Sequence, residues 1–440
     1  MGQFLAPSIP ANPSPAANVY TGGMAQAHRW LLTRDFSLMW WSQVLSQVAE
    51  GISKLALLWF VYAVTGSPLK TTVIGLLQTL PPILFGPFIG VIVDRLPKKA
   101  ILIGSDVARG LLIGLIPCLV SIENFTVESL YVLTFLFGVA TAVFVPTLSS
   151  AVPFMVARQQ FTAANALLQS TTSLGIIIGP AVSGLGIAFS GSQDVLCLNA
   201  LTYFASAACL LPIRVRATEE VADDRAGWKP FIRHLLEGLR YAFLTHRTLL
   251  GLIVLASIYT FGSGAFTTLF PVFGRQLLGL GPVEVGYLWS WLGVGLLLSS
   301  LGLIRLSEWD LNRRLVAITA SCVLAGLALV GLTWTNDFRI AAVCVTCIGI
   351  GFGAWTPIAW GIIQELAPSG MVGRVMAVYT AMATATSMAG MSVFGWMTES
   401  FGSVASMIGI GGVIFLLAMG TAWFGQRIGD AKMAEAGKEV

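Results

Sequence analysis

Twelve stretches of this chain are apolar over close to, or more than, the ~20 residues a helix needs to cross a hydrocarbon core of ~30 Å. They lie at 36–63, 72–93, 100–120, 130–155, 163–189, 195–212, 248–270, 285–304, 315–334, 340–364, 375–397 and 402–424. Buried strands of soluble α/β proteins also form apolar runs, but those last roughly 4–8 residues. The run 100–120, interrupted by two charges, is far longer. Composition agrees, because 56% hydrophobic and 10% charged residues leave too little polar surface to cover a water-soluble globule of 440 residues. The fold class expected is an all-α membrane protein of twelve transmembrane helices in two six-helix bundles.

Orientation follows the Lys and Arg of the short loops. With the N-terminus inside, 20 of the 25 cations fall on the cytoplasmic side, three outside (Lys70, Arg275, Arg339) and two within spans (Lys54, Arg109). Both termini are therefore expected in the cytoplasm and the protein in the cell (inner) membrane. Residues 1–28, rich in Pro, Ala and Ser, read as a disordered tail rather than a signal peptide. The expected domains are an N-terminal bundle at 29–213, a charged cytoplasmic linker at 214–247, a C-terminal bundle at 248–426 and a tail at 427–440. Within the linker, 228–241 has the pattern of an amphipathic helix lying on the membrane surface. The six cysteines all fall in spans, so no disulfide framework is implied, and Cys344-Val-Thr-Cys347 lies in an apolar helix without His or acidic neighbours.

Between the second and third spans stands a polar knot, Gly90-Val-Ile-Val-Asp94-Arg95-Leu-Pro97-Lys98-Lys99, where Pro97 forces a tight turn. Span five carries Gly175-Ile-Ile-Ile-Gly179-Pro180-Ala-Val-Ser183-Gly184, with glycines at a spacing that lets another helix approach closely and a proline expected to kink it. A single offset of 211 aligns Gly138 with Gly349, Pro146 with Pro357, Gly179 with Gly390 and Gly184 with Gly395. Duplication of a six-helix unit explains four matches at one offset. The same offset sets Asp94 against Arg305, so the polar knot has only a degraded partner.

These features together resemble the major facilitator superfamily from Trp30 to Gly429. Gly90-xxx-Asp94-Arg95 with Lys98-Lys99 is similar to that superfamily's signature between spans two and three, with Pro97 where glycine is usual. The span-five glycines and Pro180 are similar to the signature associated with antiporters, with Ser183 where glycine is usual. Thr65-Gly66-Ser67, Asn165-Ala166-Leu167, Asn199-Ala200-Leu201, Glu237-Gly238-Leu239-Arg240-Tyr241, Pro271-Val272-Phe273 and Gly373-Arg374-Val375 resemble the enterobactin-exporter and macrolide-efflux branch. Where that branch carries Gly-Asp in span one, this chain has Ala49-Glu50. The resemblance implies transport by alternating access, with spans one, seven and ten lining a central cavity.

An ionisable group within a span costs about 2.5–3.5 kcal/mol on insertion scales and needs a partner, an aqueous cavity or a function. Glu50 with Lys54 at i,i+4, and Asp106 with Arg109 at i,i+3, can each pair on one helical face. Glu50 and Asp106 are the candidates for proton coupling. Lys54, Arg109, Gln43, Gln47, Trp59, Tyr259, Phe266, Trp355 and Trp360 are the candidates for substrate contact, and Gly90, Asp94, Arg95, Lys98, Lys99, Gly175, Gly179, Pro180 and Gly184 for gating and helix packing. Asp94 is expected to make bonds only when the cytoplasmic side is shut.

The function expected is a proton-coupled exporter of an amphipathic small molecule, a siderophore or hydrophobic drug. A metabolite symporter or facilitator and a membrane sensor are the alternatives. An enzyme would need a site, and neither a metal-ligand cluster, a nucleophile elbow nor a phosphate-binding loop is evident. No cofactor is implied; the partners expected are substrate, protons and lipid, not nucleic acid, with the protein a monomer.

Overall fold

The computed structural model describes residues 33–120, 126–156, 160–213, 247–306, 311–367 and 371–436, and a few positions between 232 and 241. Eleven long helical segments, the last of them two helices meeting at Gly402, account for nearly all of them, and no strand occurs among the described residues. They are α1 (Arg34–Thr65), α2 (Pro68–Arg95), α3 (Lys98–Val120), α4 (Val127–Ala151), α5 (Phe161–Ser190), α6 (Ser192–Leu210), α7 (Arg247–Leu278), α8 (Pro282–Leu306), α9 (Leu311–Gly331), α10 (Phe338–Leu366) and α11 (Val372–Ala436). Nine helices among the described residues are long and apolar enough to cross a membrane; α2 and α6 match the second and sixth sequence spans but fall outside that criterion.

Local chemistry sets the ends. Thr33, Ser67 and Thr126 each accept from a backbone N–H of the first turn, Asp337 accepts from two, and Pro68 occupies the first turn of α2, where its missing N–H is harmless. Gly66 ends α1 at φ 65°, a left-handed conformation that glycine adopts without strain. The four glycines at positive φ are Gly66, Gly191, Gly279 and Gly402. Gly66 and Gly279 are 213 residues apart, and Gly191 and Gly402 are 211 apart, so the same turns recur in each half.

One boundary differs from the sequence reading. The seventh span was expected to stop before Pro271, yet α7 runs through it to Leu278. A membrane helix tolerates the lost backbone bond when neighbouring helices shield the freed carbonyl, and Pro271 is buried. Arg275 consequently lies in the last turn of α7 rather than in a loop. The last two spans, 375–397 and 402–424, are two helices within α11 that meet at Gly402, whose backbone is non-helical (φ 84°, ψ 168°). Pro180 sits inside α5, which continues as helix to Ser190. The tail 1–28 and most of the linker lie outside the described residues. The described linker positions 232, 233, 236, 237 and 239–241 are helical, and Glu237 pairs with Arg374 of α11 at 2.9 Å, which ties this segment to the second half.

In the first half α1 packs on α5 and α6, α2 on α4, and α3 on α4 and α6; in the second, α7 packs on α11, α8 on α10, and α9 on α10 and α11. Two main contacts join the halves, α5 with α8 and α2 with α11. The repeat-matched glycines make equivalent crossings. A Cβ on Gly138 would meet Leu77 and Pro81 of α2, and one on Gly349 would collide with Leu292 and Gly295 of α8. A Cβ on Gly179 would collide with Gly51 of α1, and one on Gly390 with Phe261 of α7. Gly184 and Gly395 mirror each other across the halves, against Pro282 of α8 and Thr72 of α2. Their spacing is therefore the contact map of the duplicated unit, written in residues small enough for backbones to touch.

The close contacts described between the halves lie toward one end of the bundle. That end carries the turns at Gly66, Gly191, Gly279 and Gly402, the side expected outside from the cation distribution. There Ser290 of α8 donates to the Ile177 carbonyl of α5 at 2.5 Å, and a Cβ on Gly286 would meet the Pro180 carbonyl at 2.5 Å. Toward the other end, a Cβ on Gly86 or Gly90 of α2, Gly302 of α8 or Gly361 of α10 would meet nothing within 4 Å. Leu84, Phe88 and Ile92 of α2 are exposed along this stretch.

Candidate transport site

Helix α1 carries two polar faces about 100° apart around its axis. Ser42, Ser46 and Ser53 form one, and Gln43, Gln47, Glu50 and Lys54 the other.

The serine face looks into the first bundle, where it meets the charges of α3. Arg109 pairs with Asp106 through the carboxylate Oδ1, which also accepts from Ser46 at 3.3 Å, while Oδ2 accepts from Ser206 of α6 at 2.6 Å. Arg109 donates to Ser46 at 3.0 Å as well. Its guanidinium lies 4.1 Å from the ring centroid of Phe144 on α4 and 4.9 Å from that of Tyr203 on α6, a cation–π sandwich. Asp106 is 0% exposed and Arg109 1%. Further along α6, Asn199 donates to Ser53 at 2.6 Å, with the Tyr203 hydroxyl 3.5 Å from the same oxygen. Charges taken out of water cost several kcal/mol each, and here a partner, two serine hydroxyls and two aromatic faces offset that cost. The expected i,i+3 pair is thus formed. Asp106 and Arg109 lie sealed among α1, α3, α4 and α6, not on the surface between the halves.

The second face looks the other way. Gln43 is buried, Gln47 and Glu50 are half-buried, and Lys54 is exposed although Ile52, Ser53, Leu55 and Ala56 around it are buried. The surface that Lys54 sees is the space between the halves, because its amine stands 5.7 Å from the ring centroid of Trp289 on α8. None of the described ion pairs joins Glu50 to Lys54, so this i,i+4 pair is not closed. Trp59 is buried nearly two turns before the end of α1, with Arg275 of α7 5.6 Å from its ring centroid.

The second half answers with aromatic rings. Tyr259 of α7 stacks on Trp355 of α10 (5.4 Å between centroids, 20° between planes) and donates its hydroxyl to the Phe352 carbonyl at 3.0 Å. Trp355 donates to the Tyr379 hydroxyl at 3.3 Å, and Phe266 is buried edge-on against Phe270 and Phe352. Tyr259, Trp355 and Phe266 therefore form one cluster, while Trp360 is exposed. Sequence reasoning missed Tyr203, Phe144 and Trp289. The spacing of Asn199, Tyr203 and Ser206 along one face of α6 could have found the first; nothing comparable marks the other two.

Of the gating candidates, Gly90 is exposed and Arg95 is an exposed residue in the last turn of α2. Asp94 lies in that same turn, and its side chain lies outside those described. Lys99 donates to the Leu211 carbonyl at the end of α6 (2.6 Å), a cation at a helix C-terminus, and the Lys98 amine is 5.8 Å from the Phe154 ring centroid. Gly175 and Gly179 seat α5 on α1, and Pro180 and Gly184 meet α8, where the halves join.

The family model of the Major Facilitator Superfamily matches residues 39–391. The chain belongs to the major facilitator superfamily. Among relatives, Macrolide efflux protein A of Streptococcus pyogenes is 26% identical over 359 residues, covering 80% of this chain and 86% of that protein. The Multidrug efflux pump Tap of Mycolicibacterium fortuitum is 26% identical over 381 residues, covering 84% and 90%. Two solved structures share the fold at a TM-score of 0.69: a bacterial homolog of the human lysosomal transporter Spinster (12% identity, 89% of this chain and 97% of that one) and a bacterial homologue of the iron transporter ferroportin (14%, 90% and 99%). This superfamily member is thus a multi-pass membrane transporter rather than an enzyme, and the two relatives above are named as efflux proteins.

Proposed function

We propose that this protein is a proton-coupled antiporter that exports an amphipathic small molecule, a hydrophobic drug or a siderophore, from the cytoplasm by alternating access. It would act as a monomer in the inner membrane with both termini cytoplasmic. The observation that carries the coupling is Glu50, a carboxylate half-buried on the α1 face that looks between the halves, outside every described ion pair and one turn from Lys54. Such a group can exchange a proton with whichever side the cavity opens to, and a substrate entering beside it changes its affinity for that proton. Asp106, by contrast, is saturated by Arg109, Ser46 and Ser206, and serves to hold α3 against α1 and α6. The efflux activity named for two relatives supports the direction.

The energetics suffice. One proton moving inward across 100 mV supplies ~2.3 kcal/mol, enough for roughly fiftyfold accumulation. Of the aromatic residues in the second half, Tyr259 is half-buried and can present a ring to an amphipathic substrate, whereas Trp289, Trp355 and Phe266 are buried, with Trp355 stacked on Tyr259 to hold it in place. The test is uptake of a macrolide, and separately of a catecholate siderophore, into everted vesicles with an imposed pH gradient. Accumulation of either that collapses with the gradient fits the proposal; uptake of either that is indifferent to the gradient contradicts proton coupling.

A further inference from the structure

Glu399, near the outer end of the first part of α11, bonds to the other half of the molecule. Its Oε2 accepts from the Ser67 hydroxyl at 2.8 Å and from the Leu69 backbone N–H at 3.2 Å. Ser67 is the N-cap of α2, and its hydroxyl oxygen also accepts from the Lys70 N–H at 3.2 Å. Helix α2 has no acidic residue in its first turn, whereas its counterpart α8 has its own Glu284. The repeat offset of 211 sets Ala188 against Glu399, so the second junction lacks this carboxylate. One turn further in, Gly395 lets α11 rest on Thr72 of α2.

From this geometry we infer that Glu399 is a gating residue: its carboxylate, supplied by the second half to the unneutralised N-terminus of α2 in the first, latches the outer side shut. A carboxylate at a helix N-terminus is favoured by the unsatisfied N–H groups and the helix dipole. When the outer ends part, both bonds break together, so the latch biases the equilibrium by their full differential energy. It is also one-sided, since only the α2–α11 junction carries it.

The inference rests on the alternating-access reading, and its test reads conformation without transport, so the two can fail separately. Spin labels at F189C and W334C, outer-side positions in opposite halves, report the opening in protein whose six native cysteines are replaced. In E399A the long-distance population should rise about fivefold over the parent, as loss of an exposed charge-assisted bond implies. E399Q, which keeps a neutral acceptor of the same shape, should rise less, and S67A in the E399A background should add little. A distance distribution in E399A that matches the parent overturns the latch. If E399A does not fold, E399Q decides by the same criterion.

Discussion

Arg109 illustrates how little a charge's presence in a span says about its task. Its guanidinium is held by Asp106, Ser46 and two rings, so the site is built around the charge and exposes none of it. Removing one member of a buried pair leaves the other uncompensated and costs about 3–5 kcal/mol. Arg109→Met should therefore lower thermal stability in detergent sharply, and the double variant with Asp106→Leu should lose less than the sum of the two singles. Additive losses would show that the two do not interact. The four charges within the spans were legible in the sequence, because an ionisable group stands out in an apolar run, but of the two expected pairs only Asp106 with Arg109 is formed. Which side of the helix each faced was not legible, since bundle interior and central cavity are equally shielded from lipid. At the other pair the Lys54 amine stands near Trp289, and none of the described ion pairs joins it to Glu50.

At the level of helices, glycine placement does the specifying. Gly179 lies where α5 crosses α1, and Gly390 where α11 crosses α7. Gly179→Val and Gly390→Val should each destabilise by about 1–3 kcal/mol through overpacking, seen as a lower unfolding temperature. Gly90→Val should leave that temperature nearly unchanged, because a Cβ there meets nothing within 4 Å. Its effect should fall on closing the inner end, measured as a larger inner-side distance between spin labels on α2 and α11. A full loss of stability in Gly90→Val would contradict this. The helices themselves were legible because hydropathy integrates over ~20 residues and tolerates local noise. The passage of α7 through Pro271 was not, since the neighbours that shield the freed carbonyl come from elsewhere in the chain.

The whole molecule is a duplicated unit with unequal gates. Repeat-matched glycines make mirrored crossings, and the turns at Gly66, Gly191, Gly279 and Gly402 recur in each half, yet Asp94 faces Arg305 in the alignment and Glu399 faces Ala188. Asp94→Asn should therefore slow switching far more than Arg305→Gln, measured as exchange between inner-open and inner-closed label distances; equal effects would refute the asymmetry. The division of labour between the two carboxylates of the first half is the centre of the account. The most direct measurement is the number of protons exchanged per substrate in proteoliposomes, for the parent, Glu50→Gln and Asp106→Asn. The account predicts that Glu50→Gln abolishes substrate-linked proton movement while Asp106→Asn, where it remains folded, keeps the parent's ratio. Full coupling in Glu50→Gln would contradict it.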